Sequence, residues 1–98
     1  MRVIAKAALR AFWKHHEDAQ QALEKWYAVM THADFQSLVD VRKIFSHADL
    51  CGPGRQLTCF NIKGNKYRLI AQILYIPQIV YIRDVLTHAE YSKKYGGG

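Results

Sequence analysis

Ninety-eight residues, half of them apolar or aromatic, make one globular domain and exclude a disordered chain. Fourteen Lys and Arg stand against eight Asp and Glu, and the excess is lopsided: residues 1–50 hold seven basic and six acidic side chains, net +1, while residues 51–98 hold seven and two, net +5. A field gathered in one half suits a polyanion (RNA, DNA or an acidic protein segment) or else serves only solubility.

Arg2–Ala5 reads as a short strand. From Lys6 the spacing turns helical. Leu9, Phe12 and Trp13 form one apolar stripe, and Ala19, Ala22, Leu23, Trp26, Val29 and Met30 form a longer one. The polar segment Lys14–Asp18 between them predicts a turn, hence a helical hairpin. Ser37 and Asp40 have capping-box spacing, and Leu38, Val41 and Phe45 continue as a short third helix. Cys51-Gly52-Pro53-Gly54 is the strongest break, and beyond it the period becomes two. Strands are expected over Gln56–Ile62, Tyr67–Tyr75 and Ile79–Leu86, with turns at Lys63–Lys66 and Pro77-Gln78. Thr87 starts a short tail segment, with Glu90 at capping-box spacing. Residues 1–95 form the expected domain and Gly96-Gly97-Gly98 a flexible glycine tail. The pattern predicts an α+β fold, its N-terminal strand and helical hairpin packed on one face of an antiparallel sheet. The other face would be open and positively charged.

Around a turn centred on Gly64-Asn65, Asn61 and Arg68 are placed to project from one face of two paired strands. Phe60, Ile62, Tyr67 and Leu69 then point beneath the helices. Arg68 precedes the apolar run Leu69-Ile70-Ala71, where a charge is costly unless it meets solvent or a partner. It is expected to face solvent as a phosphate ligand, or else to form a surface salt bridge. Arg83 repeats this on the third strand, between Ile82 and an Asp84 expected on the opposite face. Its structural alternative is a pairing with Glu90 or the chain terminus. His88 stands at the end of the last strand, beside the basic strands, and histidine can act as general acid or base. His15, His16, His32 and His47 carry no comparable signal. Cys51 and Cys59, even with His47, lack the paired CxxC of a zinc site, so no metal or cofactor is expected. Met1–Ala8 lacks the apolar core of a signal peptide and no run approaches membrane-spanning length. A reduced cytoplasmic compartment, without membrane association, is the expectation.

The stretch from Phe60 to Ala71, FNIKGNKYRLIA, followed by Tyr81 to Tyr91, YIRDVLTHAEY, resembles the HigB family of type II toxins. The resemblance extends more faintly over Asp34–Asp49, and the helical hairpin matches only in pattern. It implies a RelE/ParE-like fold, metal-independent cleavage of messenger RNA, commonly in the ribosome's A site, and a HigA-type antitoxin. That antitoxin carries a helix-turn-helix domain, so operator DNA is met only indirectly, through the partner. By the same resemblance Arg68 aligns with an arginine directed at the scissile phosphate. Asn61 falls where such enzymes often have lysine, and His88 near a position they fill with arginine. Tyr91 and Tyr95 compete for the role of a C-terminal tyrosine, and Tyr91 lies inside the matched segment. On this reading Arg68 and Arg83 hold phosphate, His88 moves a proton, and Tyr91 stacks on or hydrogen-bonds a nucleotide. Asn61, Lys63, Asn65 and Lys66 contact RNA. The alternatives are a ParE-like toxin acting on DNA gyrase and a non-catalytic nucleic-acid-binding module.

Overall fold

Two apolar helical stripes and several period-two strands must share one core. In the computed structural model, which describes residues 1–96, they share it on one side of a sheet. The chain runs β1 (Arg2–Ile4), α1 (Ala7–Trp13), a 3-10 turn (Glu17–Ala19), α2 (Gln20–His32) and α3 (Leu38–Ile44). It continues through β2 (Asp49–Cys51), a second 3-10 turn (Pro53–Arg55), β3 (Leu57–Ile62), β4 (Tyr67–Leu74) and β5 (Ile79–Thr87). It ends in α4 (His88–Tyr91) and a π-helical turn, Ser92–Gly96. Of the expected glycine tail, Gly97 and Gly98 lie outside the described residues.

The sheet has five strands in the order β1-β5-β4-β3-β2. The three-stranded meander is at its centre, and β1 joins β5 in parallel, making the sheet mixed. The unforeseen strand is β2, antiparallel to β3; three residues before a Gly-Pro-Gly break are too few to show a period.

Leu9 from α1 and Leu23, Trp26 and Met30 from α2 are buried against Phe60, Ile62, Tyr67, Leu69, Ala71, Val80 and Ile82 of the sheet. Trp26 and Phe45 both meet Phe60 edge-on, with ring centroids 5.5 and 5.1 Å away. Such aromatic pairs add about 0.5–1.5 kcal/mol each beyond the area they bury. The Met1 ammonium donates to the carbonyls of Met30 and Ala33 (3.0 and 2.7 Å), a cation placed at the C-terminal end of α2, where the helix dipole favours it.

Two expectations are corrected here. Ser37 precedes α3, but its side chain caps nothing; the Asp40 carboxylate instead accepts from the Gln36 backbone N–H at 2.9 Å. The second sheet face is not open either. Cys51, Cys59 and Ile70 form a small cluster there, covered by Leu57, Leu86, Tyr91 and Tyr95. The cover reaches that face because Thr87 and Glu90 do form a capping box, which starts α4 at the end of β5. Among the described residues no helix is long and apolar enough to cross a membrane.

Phe60→Ala should destabilise the fold by about 3–5 kcal/mol, because it leaves two aromatic rings facing a void. Against a total of about 5–15 kcal/mol for a domain, urea unfolding should show a much lower midpoint with little change in slope.

Candidate functional site

The β3–β4 hairpin assembles the site. Asn61 lies directly opposite Arg68 in the ladder, and Phe60, Ile62, Tyr67 and Leu69 face the helices, so the expected sharing of one face holds. The turn runs through left-handed backbone at Lys63 (φ 53°) and Gly64 (φ 63°). A side chain at Gly64 would meet nothing within 4 Å, so glycine is favoured there by backbone conformation alone.

Arg68 was expected in solvent and is instead buried, with 8 % of its surface exposed. The ring of Tyr91 lies over its guanidinium, 5.4 Å from centroid to Cζ, delivered there by α4. Nη1 donates to the carbonyls of Asn65 and Tyr67 (3.1 and 3.2 Å), and Nη2 donates to Oδ1 of Asn65. Among the described residues no carboxylate pairs with this cation. Of the five N–H donors of a guanidinium, the Nε–H and one Nη2–H keep no acceptor there. Asn65 therefore orients Arg68.

Lys63 and Lys66 are exposed, but both are engaged. The Asp18 carboxylate, from the connection between α1 and α2, accepts from Lys66 and lies 3.8 Å from Lys63 Nζ. The Tyr67 hydroxyl donates to the same carboxylate at 2.5 Å. The Lys66 bond above all, then the Tyr67 bond, hold the Asp18 carboxyl down at about 2. Tyr67 also meets His16 and Phe12 edge-on, so the helical hairpin grips the turn by charge and by aromatic contact. Asp18 was not singled out from the sequence; its partners lie 48 and 49 residues away, and nothing local marks it.

His88 is the first residue of α4. Its backbone N–H donates to the Lys66 carbonyl at 3.1 Å, which ties α4 to the same turn, and its imidazole is exposed. Tyr91 is half-buried, and burial together with the nearby Cys59 thiol pushes its phenol up to about 12. It stays protonated at neutral pH, so its hydroxyl keeps a proton it can donate. Burial, with Cys59 beside it, likewise pushes the Cys51 thiol up to about 12, away from thiolate chemistry. Tyr95 stacks near Tyr91 at 6.0 Å between centroids and donates to Asp84 at 2.5 Å.

Arg83 stands apart. The β4–β5 ladder has a bulge: Ala71 pairs with Ile82 and Ile70 with Asp84, leaving Arg83 as the extra residue. Alternation breaks there, so Asp84 shares the face of Ile70, contrary to expectation, where Lys94 (2.9 Å) and Tyr95 take its carboxylate. Arg83 is exposed, donates to Gln72 and lies over Tyr81, 5.1 Å from its centroid; Glu90 is occupied by its cap. Gln72, which holds the Arg83 guanidinium, is four residues along β4 from Arg68, about 13 Å at roughly 3.3 Å per residue, while Arg68 turns the other way to Asn65, so the two guanidinia do not meet. Among the described residues no group of three or more His, Cys, Asp or Glu side chains is arranged to hold a metal ion.

Residues 19–94 match the family model HigB_toxin, described as the RelE-like toxic component of a toxin-antitoxin system. The mRNA interferase HigB of Escherichia coli O6:H1 (strain CFT073) is 26 % identical over 93 residues, 95 % of this chain and 90 % of that protein. The mRNA interferase toxin HigB of Escherichia coli K12 is 47 % identical over 33 residues, 34 % of this chain and 32 % of its own length.

The depressed Asp18 carboxyl makes stability depend on acid. Its contribution is complete above the ordinary carboxylate value near 3.8 and is lost as pH falls toward about 2. Thermal melts across that window should show the wild-type chain losing more melting temperature than Asp18→Asn. Parallel curves would mean that the lysines and Tyr67 gain nothing from the carboxylate.

Proposed function

Because the chain belongs to the HigB toxin family, the RelE-like toxic component of toxin-antitoxin systems, we propose that it is an endoribonuclease that cleaves messenger RNA. A toxin of this family has a cognate antitoxin and an RNA target. We assign the antitoxin to the HigA type, with a helix-turn-helix domain, the site of action to translating ribosomes and the compartment to the cytoplasm.

The observation that carries the chemistry is Arg68: a buried cation, oriented by carbonyl oxygens, with two N–H donors left over. That is a preorganised fork for the two non-bridging oxygens of one phosphate, in a site where charge is weakly screened. In the proposed reaction the 2′-hydroxyl of RNA attacks the adjacent phosphorus. The 2′-O–P bond forms, the P–O5′ bond breaks, one proton leaves the 2′-oxygen and another reaches the 5′-oxygen. Arg68 stabilises the additional negative charge on the phosphorane. His88, fixed to the hairpin turn through its backbone, serves as proton donor or acceptor. Tyr91, protonated and lying over Arg68, forms one wall and donates a hydrogen bond to the nucleotide. The exposed Arg83 meets a phosphate further along the strand. Lys63 and Lys66 remain a net positive pair beside Asp18 and track the backbone.

Arg68→Lys keeps the charge and loses the fork, so cleavage should fall on the order of 10²–10³-fold. Primer extension on mRNA from a translating extract would measure this, with thermal melting of the same variant confirming the fold. Retained cleavage would remove Arg68 from the phosphate site. His88→Gln should lower single-turnover rates on the order of 10²–10⁴-fold at near-normal RNA affinity. An unchanged rate would move proton transfer to another group.

A further inference from the structure

A cavity of about 190 Å³ lies beside Asn61, lined by Ile44, Phe45, Ser46, His47, Ala48 and Asn61. With liquid water occupying roughly 30 Å³ per molecule, this is well beyond a packing gap. It exists because β2 is short: pairing ends at Asp49 opposite Cys59, so Phe60–Ile62 have no strand on that side, and the connection from α3 to β2 runs past instead. The connection is held in place. Arg42 Nε donates to the Ala48 carbonyl (2.9 Å) and its Nη2 pairs with Asp49 (2.8 Å). Phe45 is anchored edge-on to Phe60. Three features of this fixed frame have no structural use. Ile44 is an apolar side chain with 58 % of its surface exposed. Among the described residues, neither the His47 imidazole nor the Asn61 amide makes a hydrogen bond.

We propose that this cavity is a nucleobase subsite, holding the base of the nucleotide that adjoins the phosphate at Arg68. The proposal rests on the RNA-cleaving reading and adds what sets base preference. Asn61 and Arg68 face each other across the ladder, roughly 5 Å apart between Cα atoms, so a base near Asn61 is one nucleotide from a phosphate on the Arg68 fork. His47 stacks on the base plane, Ile44 and Phe45 bound it with apolar surface, and the Asn61 amide, donor and acceptor together, reads its edge.

The two polar residues act differently, and the test separates them. Stacking tolerates every base, so His47→Ala should raise KM about tenfold for all cut sites and leave their ranking unchanged. Asn61→Ala should instead flatten the ranking. Cleavage of a randomised mRNA pool on translating ribosomes, read by sequencing the new ends, measures both, and circular dichroism checks the fold. A base profile identical to wild type in Asn61→Ala, with unchanged KM in His47→Ala, overturns the subsite and leaves the nuclease reading intact. If the wild-type chain cuts no RNA, the nuclease reading falls. The subsite is then judged by adding the four nucleoside 3′-monophosphates to the full chain. Amide shifts at Ser46–Ala48 and Asn61 support it, and their absence overturns it.

Discussion

Successive side chains of a strand point to opposite sides, and in β3–β4 that parity separates packing from chemistry. Phe60, Ile62, Tyr67 and Leu69 take the helix side; Cys59, Asn61, Arg68 and Ile70 take the other. A slip of one residue would drive Arg68 beneath α2 and push Leu69 out of the core. The register is held at both ends, by left-handed backbone at Lys63-Gly64 and by the antiparallel partners beyond. Hydrophobic burial by Trp26 and Phe45 on Phe60 thus also fixes where the site's arginine points.

The basic residues of the hairpin are treated in two ways. Lys63 and Lys66 are exposed and share one carboxylate from the helical hairpin, an arrangement worth little energetically and open to competition from phosphate. Arg68 is buried and receives only uncharged oxygens. Leaving a cation in that state is unfavourable unless a polyanion completes it, and a carboxylate neighbour would have removed the vacancy. Local neutralisation outside and incomplete neutralisation inside leave the least compensated charge of the hairpin at one guanidinium, the one proposed to take a phosphate.

The sequence displayed what repeats or alternates. The Leu9 and Leu23–Met30 stripes, the parity of Asn61 and Arg68, and the Thr87–Glu90 cap all follow from local spacing. What it hid depends on distant partners or irregularity. Burial of Arg68 needs Tyr91, which reaches it only once β5 and α4 are placed. Asp18 looks like any polar turn residue until its distant lysine and tyrosine are brought to it. The bulge at Arg83 breaks the alternation used to assign Asp84, and His47 gains significance only from the gap that β2 leaves by ending early.

The parallel edge carries a consequence for folding order. Arg2 pairs with Ile79, a separation of 77 residues, whereas the β3–β4 turn closes over four. Loop-closure entropy delays contacts of the first kind, so β1 waits unpaired while hairpins near the middle of the chain form. Only after β5 exists can β1 dock on one side of it and α4 fold back from its end to lay Tyr91 over Arg68. In folding, the β3–β4 hairpin can therefore close before α4 covers it. The guanidinium that the two hairpin strands position is enclosed by a segment that follows them in the chain, so an intermediate with the hairpin closed and α4 undocked leaves Arg68 without its aromatic wall.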